Sequence, residues 1–311
     1  MITLQYVYIF AGLIFAGIAV LSAGDRTNPR RFGNTAFWGL FAASFLFGSW
    51  LGDVANGALA LSLAALGGFH LLGKPRHGTS DETDRIARAL RRGDALFLPA
   101  LAIPVTAMFG TLVLKNVILA GRPLVDPKQA TVISLALGVG IAWVAAQIWL
   151  RDRLVAPLQE GRRLMDAIGW AAVLPQMLAS LGAVFALAGV GREVGALATH
   201  VIPLDTPFTV VAAYCIGMAL FTAAMGNAFA AFPVMTAAIG LPLVVHRFGG
   251  DPAIMGAIGM LCGFCGTLIT PMAANFNIVP AALLGLGRNA VIRAQWPTAV
   301  LLLLGNVVLM Y

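Results

Sequence analysis

The sequence predicts an all-α polytopic membrane protein, and three observations support this fold class. The chain of 311 residues is 59% hydrophobic and only 11% charged, whereas about a quarter of the residues in soluble domains are charged. Its mean hydropathy is +0.88. Runs without a charged residue, such as 2–23 and 130–150, are about 20 residues long, the length that crosses ~30 Å of hydrocarbon as a helix.

These apolar runs divide the chain into about eight to ten membrane-embedded helical segments. The predicted spans are 2–23, 33–51, 54–73, 96–120, 130–150, 166–190, 207–225, 228–246 and 290–311, with an interrupted region over 251–287. The first run has no basic residues before it and no small-residue cleavage site after it, which favours a retained span over a signal peptide. We expect two parts: scaffold-like helices over 1–165 and a transport-like region over 166–311.

The basic residues predict the orientation of the chain in the membrane. Arg26, Arg30 and Arg31 follow the first span, and further arginines and lysines concentrate in the connections 74–94 and 151–164. The alternate connections are poor in basic residues, so the positive-inside rule places these three connections in the cytoplasm and the N-terminus outside. The net charge of +7 therefore reflects topology, and we expect no nucleic-acid partner.

The C-terminal half differs because its apolar character is interrupted repeatedly by Gly, Pro, Asn and Thr. Two stretches carry most of these interruptions, 223–242 and 260–280. Unwound backbone within a bilayer survives only where protein covers it or where it lines a polar cavity, and secondary transporters bind their solutes at such breaks. The alternative is that the glycines and prolines only allow close helix packing.

On the transport hypothesis, the solute binds where the two breaks meet. The predicted binding residues are Gly226, Asn227, Thr236, Gly266, Thr267, Thr270, Pro271, Asn275 and Asn277. Amides, hydroxyls and the starts of half-helices suit a small anionic or amide-bearing solute. A relay of several protons would require intramembrane acids or histidines, which these stretches lack. No cofactor is expected, and the coupling ion is left open between Na⁺ and H⁺.

Two other function classes compete with transport. Cys262 and Cys265 have the spacing of a redox motif, but they lie in an apolar run without a nearby cation to lower the thiol pKa. The histidines show no ligand spacing, so neither an enzyme nor a metal site is predicted. The second alternative, which the sequence leaves open, is a non-transporting scaffold or assembly subunit of a membrane complex.

Two long motifs carry a family resemblance. MGNAFAAFPVMTAAIGLPLVV (225–245) and GMLCGFCGTLITPMAANFNIVPAALL (259–284) resemble the bacterial membrane family called "domain of unknown function nine-seven-nine". The resemblance extends along the whole chain. It implies one subunit of a transporter for 5-oxoproline (pyroglutamate) in the bacterial inner membrane, with a smaller companion membrane subunit. Whether the chain also forms a higher oligomer is left open.

The motifs are also distantly similar to the ion transporter superfamily of dicarboxylate and citrate carriers. That similarity implies a re-entrant hairpin over 174–202, turning near 188–191, and elevator-like movement of the C-terminal half against the scaffold. In those carriers, each half of the protein contains a re-entrant hairpin and an unwound helix. Only one such half is evident in this chain, which fits a companion subunit that supplies the other. Analogy at the level of the fold supports these expectations only by association.

Overall fold

A computed structural model describes residues 1–73, 82–119, 121–151, 155–201, 203–287 and 289–311. It is 83% helical, and within the described residues nine helical stretches are long and apolar enough to cross a membrane. The chain is an all-α multi-pass membrane protein, as its composition predicts. Its contacts divide it into two compact units, Met1–Gly169 and Trp170–Tyr311. The scaffold and transport roles given to 1–165 and 166–311 stay predictions.

The first unit is built from helices and one short pair of antiparallel strands. Its elements are α1 (Leu4–Gly24), α2 (Arg31–Gly68), α3 (Glu82–Arg92), α4 (Phe97–Leu112), β1 (Ile118–Leu119), β2 (Arg122–Pro123), α5 (Ala130–Leu150) and α6 (Ala156–Ile168). Helix α6 covers most of the connection predicted over 151–164. Parts of the two basic connections, 74–81 and 152–154, lie outside the described residues.

Helix α2 folds back on itself at Gly52. As a straight rod its 38 residues would be ~57 Å long, yet Asn28 Nδ2 before its start donates to Gly73 O beyond its end, at 3.0 Å. The backbone reverses at Gly52, where φ is 70° and ψ is 170°, and Asn56 Nδ2 donates to Gly48 O across the turn at 2.8 Å. The two arms of α2 therefore correspond to the second and third predicted spans.

The basic connections meet at one end of the first unit. Helices α1 and α5 start at the opposite end, where Ile2 pairs with Val125. At the basic end, Arg162 of α6 forms an ion pair of 2.7 Å with Asp25, which follows α1. Grouping the basic segments at one end is the arrangement that the positive-inside rule requires. The side of the membrane on which this end lies stays a prediction.

The second unit contains the interrupted half of the chain. Its helices are α7 (Leu174–Leu187), α8 (Val190–Val201), α9 (Pro207–Met225), α10 (Ala228–Met235), α11 (Pro252–Ile269), α12 (Val279–Leu284) and α13 (Ala290–Met310). Wider π-helical turns over Thr236–Arg247 continue α10, and similar turns over Ala274–Ile278 lead into α12. The core between α9, α10 and α11 includes Tyr214, Met218 and Cys262, which are fully buried.

Helices α9 and α10 are antiparallel and are joined at Gly226–Asn227. Gly226 has a φ of 80°, which glycine adopts without the steric cost of a Cβ. Arg247 Nη1, at the far end of the π-helical continuation of α10, donates to Leu204 O before α9, at 3.0 Å. The first break is thus confined to two residues, because the helix resumes at Ala228. Within the interrupted stretch 223–242, only Gly226 and Asn227 are unwound, between the predicted spans 207–225 and 228–246.

Helices α7 and α8 do not form the expected re-entrant hairpin. The break lies where the superfamily similarity implies a turn, at Ala188 and Gly189, and Gly189 has a φ of 73°. A Cβ added at Gly182 would lie 2.6 Å from Ala230, and one at Gly195 would lie 2.7 Å from Ala238 O. In a hairpin, α8 would return toward Ala230. The contacts instead advance along α10, so α7 and α8 follow one another in the same direction.

Candidate functional site

The two interrupted stretches meet at a small cavity in the second unit. The cavity has a volume of about 50 Å³, enough for a few water molecules at roughly 10–15 Å³ each. It lies where the α9–α10 turn, the end of α11 and the start of α7 converge. The lining residues are Pro175, Leu178, Gly226, Asn227, Ala228, Phe229, Phe264, Thr267, Ala273, Ala274, Asn275 and Phe276.

One wall of the cavity is the turn that starts α10. The side-chain Oδ1 of Asn227 accepts a hydrogen bond from the Phe229 backbone N–H at 2.7 Å, so Asn227 is the N-cap of the helix. Capping uses the amide oxygen, and within the described residues the Asn227 NH₂ group has no hydrogen-bond partner. A Cβ added at Gly226 would lie 2.7 Å from Met272 Cβ. The turn therefore packs directly against the second break.

The opposite wall is the broken end of α11. Thr270 is extended, with a φ of −105° and a ψ of 136°, and leaves the helix before Pro271. Asn277 is only 1% exposed, and its Nδ2 donates to Thr267 O at 2.9 Å and to Thr270 O at 2.8 Å. These carbonyls have no partner within their own helix. The Asn277 amide therefore closes the carboxyl end of α11.

The structure brings together four of the nine predicted binding residues, since Gly226, Asn227, Thr267 and Asn275 line the cavity. Thr270, Pro271 and Asn277 shape the break without lining it. Gly266 allows close packing of α11 on α9, because a Cβ there would clash with the backbone of Ala219.

Thr236 does not belong to this group. Its hydroxyl lies 3.4 Å from the hydroxyl of Tyr214, in the packing between α9 and the π-helical segment. It follows Asn227 by nine residues along the helix, which is about 13 Å of rise. The structure therefore separates Thr236 from the cavity.

Sequence reasoning missed the apolar part of the lining. Pro175 and Leu178 come from α7, and three aromatic rings enclose the cavity. The ring centroids of Phe229 and Phe276 lie 6.2 Å and 6.0 Å from that of Phe264. Pro175 in the first turn of α7 is the only one of these with a local signal, since proline favours helix starts. The phenylalanines resemble ordinary apolar positions of a membrane helix.

The electrostatics of the cavity come from the backbone. None of the lining residues carries a charged side chain. Three helical starts contribute to the lining: Pro175 in the first turn of α7, Ala228 at the start of α10, and Ala274 at the start of the π-helical turn before α12. A helix start presents unpaired N–H groups and a partial positive charge. The carboxyl end of α11 also reaches the cavity at Thr267 and has the opposite polarity, but the Asn277 amide pairs the Thr267 carbonyl. The three helix starts therefore favour a negatively charged group.

A second buried polar cluster, in the first unit, was also missed. Asp166 is 4% exposed, and its Oδ1 accepts hydrogen bonds of 2.8 Å from Asn34 Nδ2 and from Trp38 Nε1. Asn34 also exchanges hydrogen bonds of 2.8 Å with the backbone of Gly73. The cluster ties α6 to the first arm of the α2 hairpin and to the segment that follows the second arm, which gives it a structural role.

The cysteines of the CxxC spacing lie inside α11. Cys262 is fully buried and Cys265 is 4% exposed, and both are free thiols. Asn306 Nδ2 of α13 approaches Cys265 Sγ at 3.7 Å. Buried cysteines of this kind act as small apolar side chains. The absence of enzymatic activity stays a prediction.

Residues 5–311 match the family described as "Protein of unknown function (DUF979)". No curated protein and no solved structure matches the chain.

Proposed function

The chain belongs to the DUF979 family, and we propose that it is a subunit of a secondary transporter for a small carboxylate, with 5-oxoproline as the first candidate. The observation that carries the proposal is the cavity between Gly226–Asn227 and Ala273–Phe276. Residues nearly 50 positions apart in sequence meet there, and both segments interrupt apolar helices. Close packing alone requires small side chains, but it does not require polar groups around a cavity.

The chemistry of the lining favours a carboxylate. Backbone N–H groups at helix starts bind anions without a charged side chain. The NH₂ group of Asn227 and the side chain of Asn275 add amides that can donate to a carboxylate or to a lactam oxygen. An ammonium solute would meet the positive ends of helices and no carboxylate in the lining. The cavity therefore supports selection of an anion over a cation.

A second cavity beside the break offers room for the rest of a solute. It has a volume of about 480 Å³ and is lined mainly by apolar side chains, including Leu174, Pro271 and Met272. It shares Leu178 with the small cavity, and its size falls in the range of typical ligand sites. We infer that the carboxylate enters the small polar cavity while the less polar body of the solute rests against Leu178.

A smaller companion membrane subunit completes the transporter, and the second unit moves against the first in an elevator-like cycle driven by Na⁺ or H⁺. The location is the bacterial inner membrane, with the N-terminus outside. These statements rest on the family resemblance and on the distribution of basic residues.

The test is uptake of labelled 5-oxoproline by proteoliposomes that contain the chain together with its companion subunit, under separate Na⁺ and H⁺ gradients. Asn227→Ala and Asn275→Ala should each weaken binding about tenfold or more, the effect of losing a hydrogen bond to a charged group. Asn289→Ala is the matched control, because Asn289 is exposed, lies in the same unit and is not in the lining. Folded protein that takes up no 5-oxoproline under any gradient would refute the substrate assignment.

A further inference from the structure

The first unit contains a long apolar groove between α1 and α5. These helices start at the same end of the unit, and the groove between them has a volume of about 760 Å³. Its lining is almost entirely apolar and includes Phe10 and Val7 of α1 with Leu137, Val144 and Ile148 of α5. From Ile133 to Ile148 the α5 side of the groove is ~22 Å long. One leaflet of a bilayer contributes about half of a ~30 Å hydrocarbon core, so an acyl chain fits within this length.

The groove ends at two arginines. An open cavity of about 600 Å³ lies at the C-terminal end of α5 and is lined by Arg92, Trp149 and Arg151. It shares Ala145 and Ile148 with the groove, so the two spaces adjoin along α5. The apolar surface therefore leads into a cationic one, at the end of the unit where the basic connections meet.

Neither guanidinium group has an acidic partner within the described residues, which leaves both available to an anion. The Arg92 guanidinium lies over the Trp149 ring, 5.4 Å from its centroid, and this face-on contact leaves the N–H groups at its edge free to bind phosphate. Arg151 caps α5 in the left-handed conformation, with a φ of 53°, and its side chain is exposed. The ion pairs formed among the described residues, Arg162–Asp25 and Arg163–Glu160, include neither of them.

We propose that this surface binds an anionic phospholipid, with the phosphate between Arg92 and Arg151 and one acyl chain along the α1–α5 groove. Charge complementarity identifies the occupant, because the site combines an apolar channel of acyl length with two cations at one end only. Basic pockets beside membrane helices bind anionic headgroups in this way. A transmembrane helix of another protein would leave the two cations without a partner unless it carried an acid at that level.

The experiment measures binding of phosphatidylglycerol and of phosphatidylcholine to the purified full chain in detergent, by native mass spectrometry and by lipid extraction. Each arginine near a membrane surface contributes about fivefold in affinity for an anionic lipid, so Arg92→Gln/Arg151→Gln should weaken phosphatidylglycerol binding about thirtyfold. The matched control is Arg26→Gln/Arg91→Gln, which removes the same charge from exposed positions that do not line the site. A second variant, Gly140→Phe, fills the groove at a glycine with open space around it.

The proposal predicts that the wild-type chain retains phosphatidylglycerol in preference to phosphatidylcholine. The arginine pair variant should lose this preference, the control should keep it, and Gly140→Phe should lose binding of both lipids. Equal binding of the two lipids by the wild-type chain would overturn the proposal. It would also be overturned if the control and the arginine pair variant lost the same amount, since the effect would then be one of overall surface charge.

Discussion

Replacing Asn277 by alanine should destabilise the second unit strongly, because this one amide closes the broken end of α11. Its Nδ2 donates to Thr267 O at 2.9 Å and to Thr270 O at 2.8 Å, in a setting where the residue is 1% exposed. Leaving a buried acceptor without a donor costs about 1–3 kcal/mol. Thr267 O would lose this donor, whereas Thr270 O would keep a long hydrogen bond of 3.4 Å from the Ala273 backbone N–H, so the expected loss is about 2–3 kcal/mol.

The measurement is thermal unfolding in detergent, followed by tryptophan fluorescence. A loss of this size should lower the apparent Tm by about 5–10 °C. Asn277→Asp is the sharper variant, since it keeps the shape of the side chain but replaces the donor with an acceptor that faces two carbonyl oxygens. We expect it to be at least as destabilising as Asn277→Ala.

Asn275→Ala is the matched control, because Asn275 is exposed and lies two residues away on the same π-helical turn. Surface substitutions of this kind usually change stability by less than about 0.5 kcal/mol. If Asn277→Ala and Asn277→Asp unfold within one degree or so of the wild-type chain, Asn277 does not close the helix and the reasoning about the break is wrong.

Two further predictions concern the turns and the ion pair. Gly226→Ala should lower the free energy of unfolding by about 2–4 kcal/mol, since the new Cβ adds a clash to the ~1–2 kcal/mol of a left-handed residue. Gly249, with a φ of 73° and no atom within 4 Å of an added Cβ, is the control, and Gly249→Ala should show the backbone cost alone. Equal losses for the two variants would contradict the packing of the turn at Gly226. Burial raises the pKa of Asp25, but hydrogen bonds from Thr27 and Arg162 outweigh it and hold the pKa below the usual 3.8. The stabilisation by the Asp25–Arg162 ion pair is therefore fully present above about pH 4 and is lost as the pH falls through the folded pKa of Asp25. The Tm difference between the wild-type chain and Asp25→Asn should accordingly shrink below pH 4. A difference that stays constant with pH would refute the stabilising role of the ion pair.

Local sequence determined the fold class and the positions of the interruptions. Apolar runs of membrane-spanning length identify most spans, because hydrocarbon requires every backbone group to be paired within a helix. Glycine and proline mark the breaks for an equally local reason: Gly226 adopts a φ of 80°, and Pro271 follows the last turn of α11. The break at Ala188–Gly189 was expected only from the similarity to the ion transporter superfamily, which implied its position but not its true geometry. A helix break that is visible in the sequence does not specify the direction of the next helix. The contacts of α8 with α10 and its π-helical continuation decided that α8 runs on in the direction of α7 and does not fold back.

The roles of the polar residues were decided only by the tertiary structure. Asn275 and Asn277 are the same amino acid two positions apart, and the sequence predicts a binding role for both. Residues two apart on a helix point to different sides, so Asn275 lines the cavity while Asn277 turns inward and closes α11. Likewise, Asp166 carries no local sign of its partners Asn34 and Trp38, more than 120 positions away. The physical reason is that a polar group in an apolar protein must find a partner, and the position of that partner depends on how distant helices pack.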